Sequence, residues 1–209
     1  MNVLYEHAEE TYLSVNCMPD DNGIVDFAFM GNIGTVQNCD KMVMALKQLK
    51  SDKPFKLHFV GDGSELESLK ELVTKEHLSD NVVFHGRFPV SEMIGFYNMA
   101  DVCLLSLSNL TAVGLTPPAK LLGYMAAGRP VLAAINGAAQ RIIKDADCGF
   151  VVAHDDFGGF AKDMQYILDN PQILSGLGER GRSYFKEHFT LDIHVSNLER
   201  NLYKLTGAE

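Results

Sequence analysis

The chain has 209 residues, 46% of them apolar and 22% charged, with a formal net charge of −9. This is the composition of a globular domain with a sizeable core, and the acidic balance argues against a nucleic-acid surface, which is rich in Lys and Arg. No apolar run approaches the roughly 20 residues that span a bilayer, and MNVLYEHAEE lacks the basic and apolar regions of a signal peptide. Cys17, Cys39, Cys103 and Cys148 form no CxxC pair, and Cys103 and Cys148 lie in apolar runs as reduced, buried hydrophobes, which fits a cytoplasmic compartment. Seven histidines are scattered without ligand spacing, so no metal is expected.

Residues 1–23, ending in MPDDNG, lack periodicity and read as a linker or as the remnant of a preceding domain. VDFAFM (25–30) reads as a buried strand closed by Gly31. The run 36–50 has helical spacing, with Cys39, Met42, Val43, Leu46 and Leu49 on one face. FKLHFV (55–60) is the next strand, followed by GDGS and an amphipathic helix over 65–78 that Ser64 could cap. A short strand NVVFHG, a helix over 91–100 and a strand over 101–107 come next. A helix beginning near TPPAK leads to the strand RPVLAAI (129–135), the helix GAAQRIIKDAD and the last strand CGFVVA. Three helices complete the chain, the final one over TLDIHVSNLERNLYKL.

About six short apolar strands alternating with helices predict an α/β fold, a Rossmann-like parallel sheet with helices on both faces. The main domain is expected over 24–188, with 189–209 a terminal helix that folds back or docks elsewhere. Right-handed crossovers gather the strand-to-helix loops at the carboxyl edge, where such sheets bind ligands. Glycine occurs in nearly every one of these loops. GNIG is neither a dinucleotide GxGxxG nor a Walker loop, so spacing alone leaves it equally a tight turn or a ligand wall. The long Ser/Thr/Asn/Gly loop from Ser106 to Pro118 is of the kind that often carries function.

That loop feeds Thr116 as an N-cap, with Pro117 and Pro118 at the first helical positions and Lys120 near the fourth. A lysine there opposes the helix dipole, so it either meets an anion or snorkels to solvent. Arg87 is a second basic group at the same edge, whereas Arg129 lies at the far end of the helix and reads as structural. His85 reads as a packing residue more readily than as an acid or base.

The blocks FMGNIGTVQ, FVGDGSELESL, VVFHGRFPVSEM, FYNMADVCLLSL, GLTPPAKLLGYMAAGRPVLAAINGAAQRII and CGFVV, in that order, resemble the carboxyl-terminal donor-binding domain of GT-B fold, family 4 glycosyltransferases. The likeness runs from about residue 25 to the last helices, and it is nearest to bacterial enzymes of surface and capsular polysaccharide assembly. It implies one half of a GT-B fold that takes a nucleoside-diphosphate sugar, commonly UDP-linked, for retaining glycosyl transfer. It also implies an amino-terminal acceptor-binding domain outside this chain, often membrane-associated in the full enzyme, without which this half is inactive.

By the same resemblance, Gly31, Asn32 and Gly34 lie against the donor diphosphate and sugar, and Gln37 opens the following helix. Gly86, Arg87 and Phe88 border the base, while Thr116 and Lys120 meet the diphosphate. Lys120, and more weakly Arg87, would stabilise the departing diphosphate without metal or cofactor. Two glutamates that many members carry read here Leu115 and Gly123, which leaves Tyr124 or a backbone group to hold the ribose. Two other readings stay open: a nucleotide-sugar-binding or partner-docking domain without catalysis, and a sugar-nucleotide epimerase of the same fold. The apolar row of the terminal helix, Ile193, Val195, Leu198, Leu202 and Leu205, either packs on its own domain or leaves a patch that favours a homodimer.

Overall fold

A computed structural model describes residues 9–17, 22–108 and 117–206. Six strands form one parallel sheet: β1 (Val25–Met30), β2 (Phe55–Val60), β3 (Val82–Gly86), β4 (Val102–Ser106), β5 (Val131–Ala134) and β6 (Gly149–Val152). Their order is β3-β2-β1-β4-β5-β6, so the direction of winding reverses between β1 and β4. In such a sheet the crevice outside the carboxyl ends at that reversal is where ligands bind. Strands β1, β4 and β5 are buried along their whole length, as expected of strands covered on both faces.

Among the described residues, eight α-helices connect and flank the strands: α1 (Cys39–Leu46), α2 (Leu66–Lys75), α3 (Met93–Met99), α4 (Ala119–Ala126), α5 (Ala138–Asp145), α6 (Phe157–Asp169), α7 (Leu174–His188) and α8 (Leu191–Thr206). On one face Phe27, Phe29, Phe59 and Leu104 pack against Met42 and Val43 of α1, Leu69 of α2 and Phe160 and Met164 of α6. On the other, Ala28, Met30, Cys103 and Ala133 pack against Tyr97 of α3, Leu122 and Tyr124 of α4 and Ile143 of α5. All four cysteines are free; burial pushes the thiols of Cys39 and Cys148 up to about 12, so these two are packing residues rather than nucleophiles.

Several expectations change. The described part of the amino-terminal stretch is not a bare linker: a 3-10 turn over Glu10–Ser14 buries Tyr12, and Val15 joins it in the core. Arg182 of α7 donates to the Val15 and Ala126 carbonyls at 2.7 and 3.0 Å, and Arg129 donates to the Asn16 carbonyl. Arg129 is therefore structural, through its bond to this strap. The helix expected over 36–50 is split, because Asn38 takes a left-handed φ of 50° between a 3-10 turn (Thr35–Gln37) and α1. Ser64 does not cap α2; its hydroxyl faces Glu65 instead.

The start of α4 also differs. Pro118 is the N-cap, with extended φ −65° and ψ 137°, and the first helical residue is Ala119. Both prolines precede the helix, so they remove no donor from its first turn, and Lys120 is its second residue. The N–H groups of Ala119 and Lys120 have no acceptor within the helix. Thr116 lies outside the described residues, as does Leu115.

Candidate functional site

The loops leaving β1, β2 and β3 are locked backbone to backbone. Gly31 N donates to Val60 O at 2.8 Å, Gly61 N to Gly86 O at 2.8 Å, Ile33 N to Asp62 O at 2.8 Å and Glu65 N to Ile33 O at 3.0 Å. This crossing leaves no room for side chains at its centre. Gly61 has φ 150°, and a Cβ on it would stand 1.9 Å from the Gly31 carbonyl oxygen. The GNIG turn is held from within by Gln37, whose Oε1 accepts from Gly34 N at 3.2 Å. Gln37 thus closes its own turn and does not open a helix.

Beside the locked loops lies a cleft of about 760 Å³. Gly31, Asn32, Asp62 and Gly63 form one wall, and Arg87, Phe88, Met93 and Tyr97 form the other. Phe88 is braced by Phe96 of α3, with ring centroids 4.7 Å apart. The structure therefore brings together Gly31, Asn32, Arg87 and Phe88, residues singled out in separate sequence blocks. Gly86 stands behind this wall, at φ 82°, accepting from Gly61. Gly34 is filled by its neighbours: a Cβ there would meet Asn32 Nδ2 at 2.7 Å and Gln37 Oε1 at 3.1 Å.

Lys120 reaches the same edge from α4. Its Nζ stands 4.0 Å from the centroid of the Phe29 ring, and a Cβ on Gly31 would come within 2.9 Å of it. The side chain is partly exposed along its length, but Nζ itself is buried and has no hydrogen-bond partner among the described residues. Desolvation drives its pKa down to about 8, opposed only by nearby Cys39. Snorkelling to solvent is thus the wrong description of this lysine. A buried ammonium left without an anion is costly.

Tyr124 is a correction. It is fully buried, and its hydroxyl bonds the backbone of Met30 and Leu104 at 3.2–3.3 Å, tying α4 to β1 and β4. It cannot reach a ribose. Tyr97, which sequence reasoning missed, does line the cleft. The signal available was its four-residue spacing from Met93 on a helix beginning at the carboxyl-edge side of β3.

His85 also has a partner that the sequence hid. Its Nε2 lies 2.9 Å from Nδ1 of His58, whose Nε2 lies 2.9 Å from Oδ1 of buried Asp26. This chain crosses β3, β2 and β1 beneath α3, with Phe96 edge-on to His85. Burial, and then the charge of His58, lowers the pKa of His85. His85 is therefore a packing residue anchored in a polar row, behind the cleft wall rather than in it.

A doubly wound parallel sheet with glycine-built loops and a cleft beside its switch point defines the Rossmann-like class of α/β fold. The chain belongs to the glycosyl transferases group 1 family, whose model matches residues 21–184. It is 30% identical over 175 residues to the N-acetyl-alpha-D-glucosaminyl L-malate synthase of Bacillus anthracis, covering 83% of this chain and 44% of that protein. It therefore spans less than half of that relative's length. Among solved structures it is similar to the sucrose-phosphate synthase of Thermosynechococcus elongatus, with a TM-score of 0.83, 21% identity, and coverage of 100% of this chain and 53% of that one. It is likewise similar to Anabaena HepE, solved in complex with UDP, with a TM-score of 0.80, 15% identity, and coverage of 99% and 57%. These two likenesses show the GT-B fold. Among the described residues, no helix is long and apolar enough to cross a membrane.

Proposed function

We propose that this chain is the donor-binding half of a retaining glycosyltransferase that takes a nucleoside-diphosphate sugar, UDP-linked, in bacterial surface polysaccharide assembly. The observation that carries the reading is the buried Nζ of Lys120, without a partner among the described residues, against Gly31 at the lip of the cleft. A diphosphate satisfies that ammonium, and the base lies along Gly86–Phe88. UDP, bound in the HepE structure, supports the choice of nucleotide, and the resemblance to surface-polysaccharide enzymes supports the setting.

In this reading the chemistry needs charge stabilisation at the leaving diphosphate rather than a side-chain nucleophile. Lys120 supplies the cation, with the first-turn N–H groups of α4 behind it, and Arg87 supplies a second at the cleft mouth. No metal or cofactor is invoked. The acceptor is bound by a second domain or partner, which covers the exposed apolar row Val195, Leu198 and Leu202 of α8. Alone, this half binds donor and does not turn it over.

Titration calorimetry with UDP, GDP and ADP tests the proposal: UDP is expected to bind most tightly, and no heat from any of them at millimolar concentration overturns it. Where the acceptor half is supplied, Lys120→Ala is expected to lower turnover by at least about 100-fold, the scale of losing one oxyanion-type donor. Turnover close to that of the unaltered chain would remove Lys120 from the chemistry.

A further inference from the structure

The proposed ligand has three connected parts, and the proposed function assigns partners to two of them, the diphosphate at Lys120 and the base at Gly86–Phe88. The ribose must lie between. On that path Tyr97 of α3 lines the cleft, held by edge-on contacts of its ring with Tyr12 at 4.7 Å and Tyr124 at 6.2 Å. Its hydroxyl overlies α4 at Gly123: a Cβ there would stand 2.9 Å from Oη. Gly123 is three residues after Lys120, so both lie on one face of α4, about 5–6 Å apart. The missing side chain of Gly123 is what makes room for the hydroxyl.

We infer that the Tyr97 hydroxyl hydrogen-bonds a ribose hydroxyl of the bound nucleotide, making Tyr97 a residue that discriminates nucleotides by their ribose hydroxyls. The inference rests on the nucleotide-binding reading above. Burial, followed by the neighbouring Tyr124, Cys103 and Tyr12, raises the pKa of Tyr97 well above 10, so the hydroxyl keeps its proton and can donate throughout the physiological range. Of the polar side chains lining the cleft, Asp62 accepts from Gly63 N at 2.7 Å through Oδ1, while Asn32 and Arg87 are exposed and Tyr97 is buried.

The test measures dissociation constants of UDP, 2′-deoxy-UDP and 3′-deoxy-UDP for the unaltered chain and for Tyr97→Phe, which keeps the ring and its packing. The unaltered chain should bind at least one deoxy nucleotide about 3- to 10-fold more weakly than UDP, the scale of one neutral hydrogen bond. In Tyr97→Phe that preference should vanish, through weaker UDP binding and unchanged binding of the deoxy nucleotide. Gly123→Ala, whose methyl displaces the hydroxyl, should reduce the preference as well and serves if Tyr97→Phe does not fold. Equal discrimination in the altered and unaltered chains overturns the inference, as does no discrimination at the outset. Failure of UDP itself to bind the unaltered chain refutes instead the nucleotide reading on which it depends.

Discussion

Replacing Lys120 by methionine should make the unliganded protein more stable, although it removes a residue central to the proposed site. The reason is the cost of holding the ammonium without an anion. Its pKa falls from an ordinary 10.5 to about 8, because burial disfavours the charged form. At ~1.4 kcal/mol per pH unit, that depression corresponds to roughly 3 kcal/mol at neutral pH. Loss of the contact between Nζ and the Phe29 ring returns about 1–2 kcal/mol, some of which the methionine sulfur recovers. The expected net gain for Lys120→Met is on the order of 1–3 kcal/mol at pH 7.

The sign with pH is also fixed. Between pH 8 and 10.5 the unfolded chain still binds the proton that the folded lysine has released, so the Lys120 penalty fades as pH rises. The buried cysteines act oppositely, since their raised pKa values cost stability once unfolded thiols ionise, but they are common to both proteins. The informative quantity is therefore the difference in urea-unfolding free energy between Lys120→Met and the unaltered chain, under reducing conditions. It should be largest at pH 7 and approach zero near pH 10. A variant that is less stable at pH 7, or a difference that does not change with pH, refutes the claim that the ammonium is buried and unpaired.

Other consequences can be checked in the same way. Gly61→Ala drives a Cβ to 1.9 Å from the Gly31 carbonyl oxygen at a φ of 150°, so it should lower urea-unfolding stability by about 2–3 kcal/mol and weaken UDP binding by opening the locked loops. His85 has a lowered pKa, so below about pH 6.5 the unfolded chain takes up a proton that the folded residue resists, and stability falls with acid. His85→Asn should flatten that slope between pH 7 and 5 relative to the unaltered chain, as measured by the urea midpoint. The double change Leu198→Glu with Leu202→Glu falls on exposed positions of α8 and should shift thermal unfolding by no more than about 0.5 kcal/mol. A loss of several kcal/mol would mean that α8 is held against its own domain.

The sheet was legible because its strands are short apolar runs separated by helical spacing, the pattern of a parallel sheet covered on both faces. The cleft was legible where its walls are loops: Gly31, Asn32, Arg87 and Phe88 all follow strands directly. What failed depended on backbone torsions or on tertiary neighbours. The extended ψ of Pro118 moved the start of α4 past both prolines, and the left-handed φ of Asn38 divided a run that is helical by its spacing. Tyr124 and Tyr97 show the limit for side chains. Both are buried tyrosines near the same edge, yet only the meeting of α3 and α4 decides which one ties the core backbone and which one also lines the cleft. The row Asp26–His58–His85 spans three strands and has no trace in local spacing.

The central claim is that Lys120 waits for the diphosphate of a nucleotide. Its most direct test is the UDP dissociation constant of the unaltered chain and of Lys120→Met, measured by calorimetry at pH 7. A lost charge-assisted contact should weaken binding by about 10- to 100-fold, while the variant remains folded and gains stability without ligand. Equal affinity in the two proteins would contradict the account.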